Sequence, residues 1–77
     1  MEYKLVSVMW SDHCSVAEWL PLEVAHALKP MLAETVGWLI FETDEYMIVA
    51  AERGRLDSSV SNMTVIIKSC IIGIKEL

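Results

Sequence analysis

The side chains able to do chemistry in this 77-residue chain are few. Asp12, His13 and Cys14 stand in a row, with His26 twelve residues past Cys14, and together they are the one grouping of metal-ligand types. Zinc takes tetrahedral nitrogen and sulfur ligands, which commonly arrive as C-x₂₋₄-C or H-x₃₋₅-H pairs. Neither pair exists here, so the grouping reads as a polar turn plus a histidine on a helix surface, and no metal is expected. Cys14, His26 and Asp12 could be arranged on paper as nucleophile, base and orienting acid. No nucleophile elbow, Gly-rich oxyanion loop or paired-carboxylate motif accompanies them. Gly37, Gly54 and Gly73 are too dispersed for a phosphate-cradling G-x-x-x-x-G-K-[ST] loop. The expectation is a protein that is not an enzyme and carries no cofactor.

Binding chemistry is better represented. Three tryptophans, Trp10, Trp19 and Trp38, are many for this length, and each indole N–H wants a partner when buried. Their plainest use is as core and helix cover; their functional use is to wall a cleft between subunits and stack on a ring-shaped ligand. Arg53 and Arg55 are the only close pair of basic residues. Either they are a solvated loop, or they supply the anion contact beside such a wall. Asp12 and His13, in the polar turn after the first strand, complete the candidate ligand-binding set of Trp10, Asp12, His13, Trp19, Trp38, Arg53 and Arg55.

Composition limits the partners. Eleven acidic against six basic residues leave a formal charge of −5, and the basic ones are scattered, which disfavours long nucleic acid. A small anionic or nucleotide-type ligand needs only one or two converging cations. Hydrophobic residues make up 55% of the chain. So short a domain buries only about 60% of the surface its unfolded chain exposes, so self-association is the expected cover for the remainder. The apolar runs are far below the ~20 residues of a membrane span, and the first residues lack the basic region and long apolar stretch of a signal peptide. The expected location is the cytoplasm, with no membrane partner. Two cysteines, Cys14 and Cys70, are expected as reduced, buried thiols.

The elements that must position these residues read as mainly β, in a single domain over residues 1–77. Residues 3–10 alternate and are rich in Val and aromatics, which predicts a strand. Ser15 with Glu18 fits a capping box, although Pro21 limits a helix starting there. Pro21 suits the first turn of a short helix over residues 22–28 that Pro30 stops, with Leu22, Ala25 and Leu28 on one apolar face. Strands are predicted over residues 36–41 and 46–51, joined by a polar hairpin at Thr43-Asp44-Glu45, with Gly37 marking a bend. A polar loop over residues 53–62 follows. Two further strands, over residues 63–68 and 71–76, are separated only by Ser69-Cys70, a connection that calls for a tight turn of 3₁₀ type. Five short bent strands and one helix inserted after the first predict a partly open small barrel.

Gly37, Leu39, Asp44 and Met47, followed by the apolar close of residues 65–74, resemble the Sm-like proteins, whose second strand bends at a Gly and whose third carries a Met. The resemblance covers residues 35–77 and implies an SH3/Sm-like barrel that assembles by pairing its fourth and fifth strands. The RNA pocket of that family uses an Asn after the Met and an Arg-Gly pair in the last turn. Here Ile48 and Lys68-Ser69 stand in those places, which speaks against a ring of uridine pockets. The whole chain also resembles a group of small phage and prophage proteins, through Trp10-Ser11-Asp12, Thr35-Val36-Gly37-Trp38 and the Ile-rich end. That likeness implies a viral origin, and with it the host's cytoplasm as the location, and gives no activity. Taken together, the expectation is a non-catalytic homo-oligomeric binding module, with sequestration of a nucleotide-type host signal as one concrete use. The alternatives are a structural module docking on a host or viral protein, and Sm-like RNA binding, which the acidic charge disfavours.

Overall fold

The computed structural model describes residues 3–13 and 15–77. Along the chain, Lys4–Asp12 forms β1, Leu22–His26 forms α1, Met31–Glu42 forms β2, Tyr46–Arg53 forms β3 and Val60–Ile67 forms β4. A 3₁₀ turn at Lys68–Cys70 leads into β5, Ile71–Glu76. Among the described residues the five strands make one antiparallel sheet in the order β4-β3-β2-β1-β5. The sheet is not closed: β4 and β5 are its two edges and do not pair with each other.

The alternation in β1 sends Val6 and Val8 inward, where they meet Met47, Val49 and Ile66 from β3 and β4. Trp10, Leu39 and Ile71 pack around that cluster. Register explains the meeting, because Met47 stands opposite Ile66 and Val6 opposite Gly37. Gly37 is required there: a Cβ at this position would run into the backbone carbonyl of Ala50 and the side chain of Val49. Between Leu39 and Phe41 the β2–β3 register shifts, so β2 bends just past that close approach.

The sheet must curl. The three residues of the 3₁₀ turn carry the chain from one edge strand to the other, a step of four residues that reaches at most about 14 Å. Across a flat five-stranded sheet the edges would stand about 19 Å apart. Tight connection and edge-to-edge topology are compatible only if the two edges swing toward each other at that end. Lys68 fastens the turn to the β2–β3 hairpin, donating its backbone N–H to the Glu45 carbonyl at 2.8 Å and placing its ammonium 2.9 Å from Glu42. The hairpin is shaped by the Thr43 hydroxyl, which accepts the backbone N–H groups of Glu45 and Tyr46 at 3.1 and 3.2 Å.

Several local expectations need correcting. β1 runs on through Asp12 because Asp12 pairs with Met31 across from it, so β2 begins at Met31 and is twelve residues long. The polar loop shrinks to residues 54–59, because β3 continues through Arg53 and β4 starts at Val60. Ser15 and Glu18 cap no helix. α1 spans only Leu22–His26, with the N–H groups of Val24 and Ala25 both 3.0 Å from the Pro21 carbonyl. The expected apolar helix face has no cover: α1 has no buried residue, and Leu22 and Leu28 are exposed. Cys70 is a free thiol and half-buried rather than buried; Cys14 lies outside the described residues. No helix among the described residues is long and apolar enough to cross a membrane.

Candidate ligand cleft at Trp38 and Arg53

β2 and β3 meet with Trp38 opposite Ala50, three residues before Arg53 at the end of β3. That register brings the Arg53 guanidinium over the Trp38 ring, 4.9 Å from its centroid. An exposed cation on an indole face is worth about 0.5–1 kcal/mol, enough to bias the arginine rotamer and too little to lock it. Arg55 follows two residues later. Trp38, Arg53, Gly54, Arg55 and Asp57 line one open hollow, and Arg53 to Val60 with Tyr3 line a second of about 310 Å³ that shares Arg53, Gly54, Arg55 and Asp57 with the first. Small-ligand sites are typically about 300–1,000 Å³.

The loop is built to hold this shape. The Gly54 N–H donates to the Ser59 carbonyl at 2.7 Å. Inside that closure the Asp57 carboxylate accepts the Ser59 N–H at 3.0 Å and the Ser59 hydroxyl at 2.5 Å. These two bonds, the hydroxyl's first, hold the Asp57 carboxyl below its ordinary value, so it stays ionised. Gly54 leaves room for them, since a Cβ there would strike the Asp57 carboxylate and the Ser59 hydroxyl. Among the described residues neither Arg53 nor Arg55 is in an ion pair, whereas Lys4 and Lys68 each sit beside a glutamate. In a chain of net charge −5, the cleft brings two guanidiniums without an ion pair together beside one ionised carboxylate, Asp57.

Of the seven candidate residues, Trp38, Arg53 and Arg55 come together and the other four do not. Trp10 packs on the core, and its indole N–H donates to the Thr35 hydroxyl at 2.9 Å. Asp12 closes β1. His13 lines a small hollow with Val16, Leu28, Lys29 and Pro30 where the chain leaves the sheet. Trp19 is 102% exposed. The grouping of Asp12, His13, Cys14 and His26 includes Cys14, which is outside the described residues; among the described ones no three metal-ligand side chains gather. Sequence reasoning passed over Asp57 and Gly54, although Asp57-Ser58-Ser59 has the spacing of an Asx turn. Compared with known proteins, the chain matches no family model, no curated sequence and no solved structure.

Proposed function

We propose that this chain is a non-catalytic binding module that self-associates and takes a small anionic ligand bearing a planar ring, of nucleotide type, at the Trp38–Arg53–Arg55 cleft. The Arg53 guanidinium resting on the Trp38 ring carries the proposal. A flat heteroaromatic ring entering the cleft takes the indole face, and Arg53 turns to the ligand's phosphate, where its planar fork binds two oxygens at once. Arg55 adds a second cation from the same loop. For a phage-encoded chain, one concrete use of such a cleft is to sequester a host nucleotide signal, which needs affinity and no chemistry.

Surface area supports self-association. The chain exposes 6235 Å², whereas a folded monomer of its 8.7 kDa exposes about 4,700 Å². The radius of gyration is 15.8 Å, against about 11.5 Å for a compact domain of this length. The excess of roughly 1,500 Å² equals about two standard interfaces at ~800 Å² per partner. On the edges, Met63, Val65 and Ile67 of β4 and Ile72 and Ile74 of β5 are exposed. Pairing β4 of one copy with β5 of the next covers backbone and apolar side chains together, and joins the curled SH3/Sm-like sheet of each copy to that of its neighbour.

A second reading, a structural module docked on a host or viral protein, is favoured by the exposed Val16, Trp19, Leu22, Val24 and Leu28 around α1. Native mass spectrometry of freshly purified protein separates the two. The proposal expects an oligomer that retains a nucleotide-type mass, and one lost in Arg53→Ala. A stable monomer at high concentration that binds proteins and no nucleotide would sink it. A salt-dependent titration with oligo-uridine addresses RNA; the proposal expects no salt-sensitive binding.

A further inference from the structure

The chain leaves the sheet after Asp12 and returns at Met31. Between them, residues 15–28 form an arm with no buried residue. Its tip carries Trp19, 102% exposed, next to Glu18, with Glu23 in the first turn of α1. The loop after β3 is its complement. Leu56 is 99% exposed and stands beside Arg55, with Arg53 two residues further back. The two most exposed large apolar side chains thus lie in separate segments, Trp19 next to Glu18 and Leu56 between Arg55 and the Asp57 carboxylate.

We infer that the arm tip of one copy docks on the residue 53–60 loop of a second copy, with Trp19 laid against Leu56 and Glu18 facing Arg55. This rests on the self-association reading and does not require the nucleotide. Three observations converge on a second copy as the occupant. Charge is complementary in sign, with Glu18 and Glu23 on the arm against Arg53 and Arg55 on the loop, where Asp57 offsets one of the two cations. Edge pairing of β4 with β5 leaves Trp19 and Leu56 uncovered, so an arm contact hides exposed apolar side chains that the edge contact does not. The hollow at Trp38 is lined by residues of the same loop, Arg53, Gly54, Arg55 and Asp57, so an arm docked on that loop borders the cleft. The contact joins two different patches, so it closes a two-fold dimer where two copies exchange arms and propagates around a ring or along a filament where they do not.

A charge-reversal pair tests this on the full chain, with native mass spectrometry and sedimentation as readouts and circular dichroism confirming the fold. Glu18→Arg and Arg55→Glu are both on exposed positions. Each alone sets like charges against each other, and assembly is expected to weaken about tenfold or more. Mixing the two variants restores it, because the Glu18→Arg arm of one copy then meets the Arg55→Glu loop of the other. If the wild type assembles and both single variants assemble equally well, the arm contact is wrong while edge pairing survives. If mixing restores nothing but the double variant recovers, the arm folds onto its own chain and the inference falls. A monomeric wild type overturns the arm contact and self-association together.

Discussion

The curled sheet and the arm of residues 15–28 are made of similar material and meet opposite fates. Both are rich in Val, Leu and Trp. In the sheet, Val6, Val8, Met47, Val49 and Ile66 close on one another within a single chain, and Trp10 finds both the core and a hydroxyl for its N–H. In the arm, Trp19, Leu22, Val24 and Leu28 find no cover. The difference is one of reach. Strand pairing at fixed register lets residues distant in sequence share a face, whereas α1 is five residues long, below the ~12–15 residues at which an isolated helix is even marginal in water. Apolar content by itself therefore says little about where a core forms; it takes an element long enough to present a face and a neighbour in register to receive it.

Substitutions that remove core volume should widen the contrast most. Ile66→Ala and Val8→Ala empty side chains that are wholly buried, and urea unfolding is expected to show a loss of about 2–4 kcal/mol for the isoleucine and somewhat less for the valine. Trp19→Ala, removing the larger side chain from the arm, should move the same midpoint by less than about 0.5 kcal/mol at protein concentrations where the chain is monomeric. An equal loss from Trp19→Ala under those conditions would mean the arm packs on its own sheet. Next in size is Gly37→Ala. The added methyl presses on the Ala50 carbonyl, and overpacking of this kind costs about 1–3 kcal/mol. Gly73→Ala is the control, since nothing lies within 4 Å of its added Cβ, and it should be neutral or slightly stabilising.

The cleft sharpens the comparison differently, because it belongs to the sheet by position and to the surface by exposure. Arg53→Ala should leave thermal unfolding nearly unchanged while weakening binding of a nucleotide probe such as AMP or a cyclic dinucleotide about tenfold or more, measured by calorimetry. Arg53→Lys keeps the charge and loses the bidentate fork, so it should recover only part of the affinity. Full recovery with lysine would reduce the site to a point charge and argue against the stacked geometry.

How much of this was legible in the sequence follows the same division. Period-two alternation and punctuation by Gly37 and Thr43-Asp44-Glu45 located all five strands, because those signals are local. The 3₁₀ turn was legible from shortness alone: Ser69-Cys70 cannot bridge two long strands as an open hairpin. The length of β2 was missed, since Met31 to Thr35 becomes strand only by pairing with β1, a contact no local pattern announces. Ser15 and Glu18 misled, because a capping box promises a helix only where the following residues have something to pack on. At the cleft, residue types pointed to Trp38, Arg53 and Arg55, but the register shift near Ile40 that sets Trp38 opposite Ala50 carries no sequence signature. Trp10 and Trp19 were equal candidates until the sheet gave one a partner and left the other none.

The smallest expected effect belongs to Asp57, and its sign is fixed by which protonation state the loop holds. Ser59 donates both its hydroxyl and its N–H to the Asp57 carboxylate, so folding of the loop favours the ionised form and depresses the carboxyl below its ordinary 3.8. The support this gives is therefore fully present above about pH 4 and fades as pH falls through the depressed value. Because Asp57 is exposed, global stability should barely register the change. The loop should: amide exchange at Ser59 is expected to quicken at low pH relative to the slowly exchanging amides of β1, and Asp57→Asn should quicken it at neutral pH while reducing its pH dependence. If Ser59 exchanges at the same relative rate at both pH values and in both proteins, the carboxylate does not organise the loop, and Gly54 with its bond to the Ser59 carbonyl is what shapes the cleft wall.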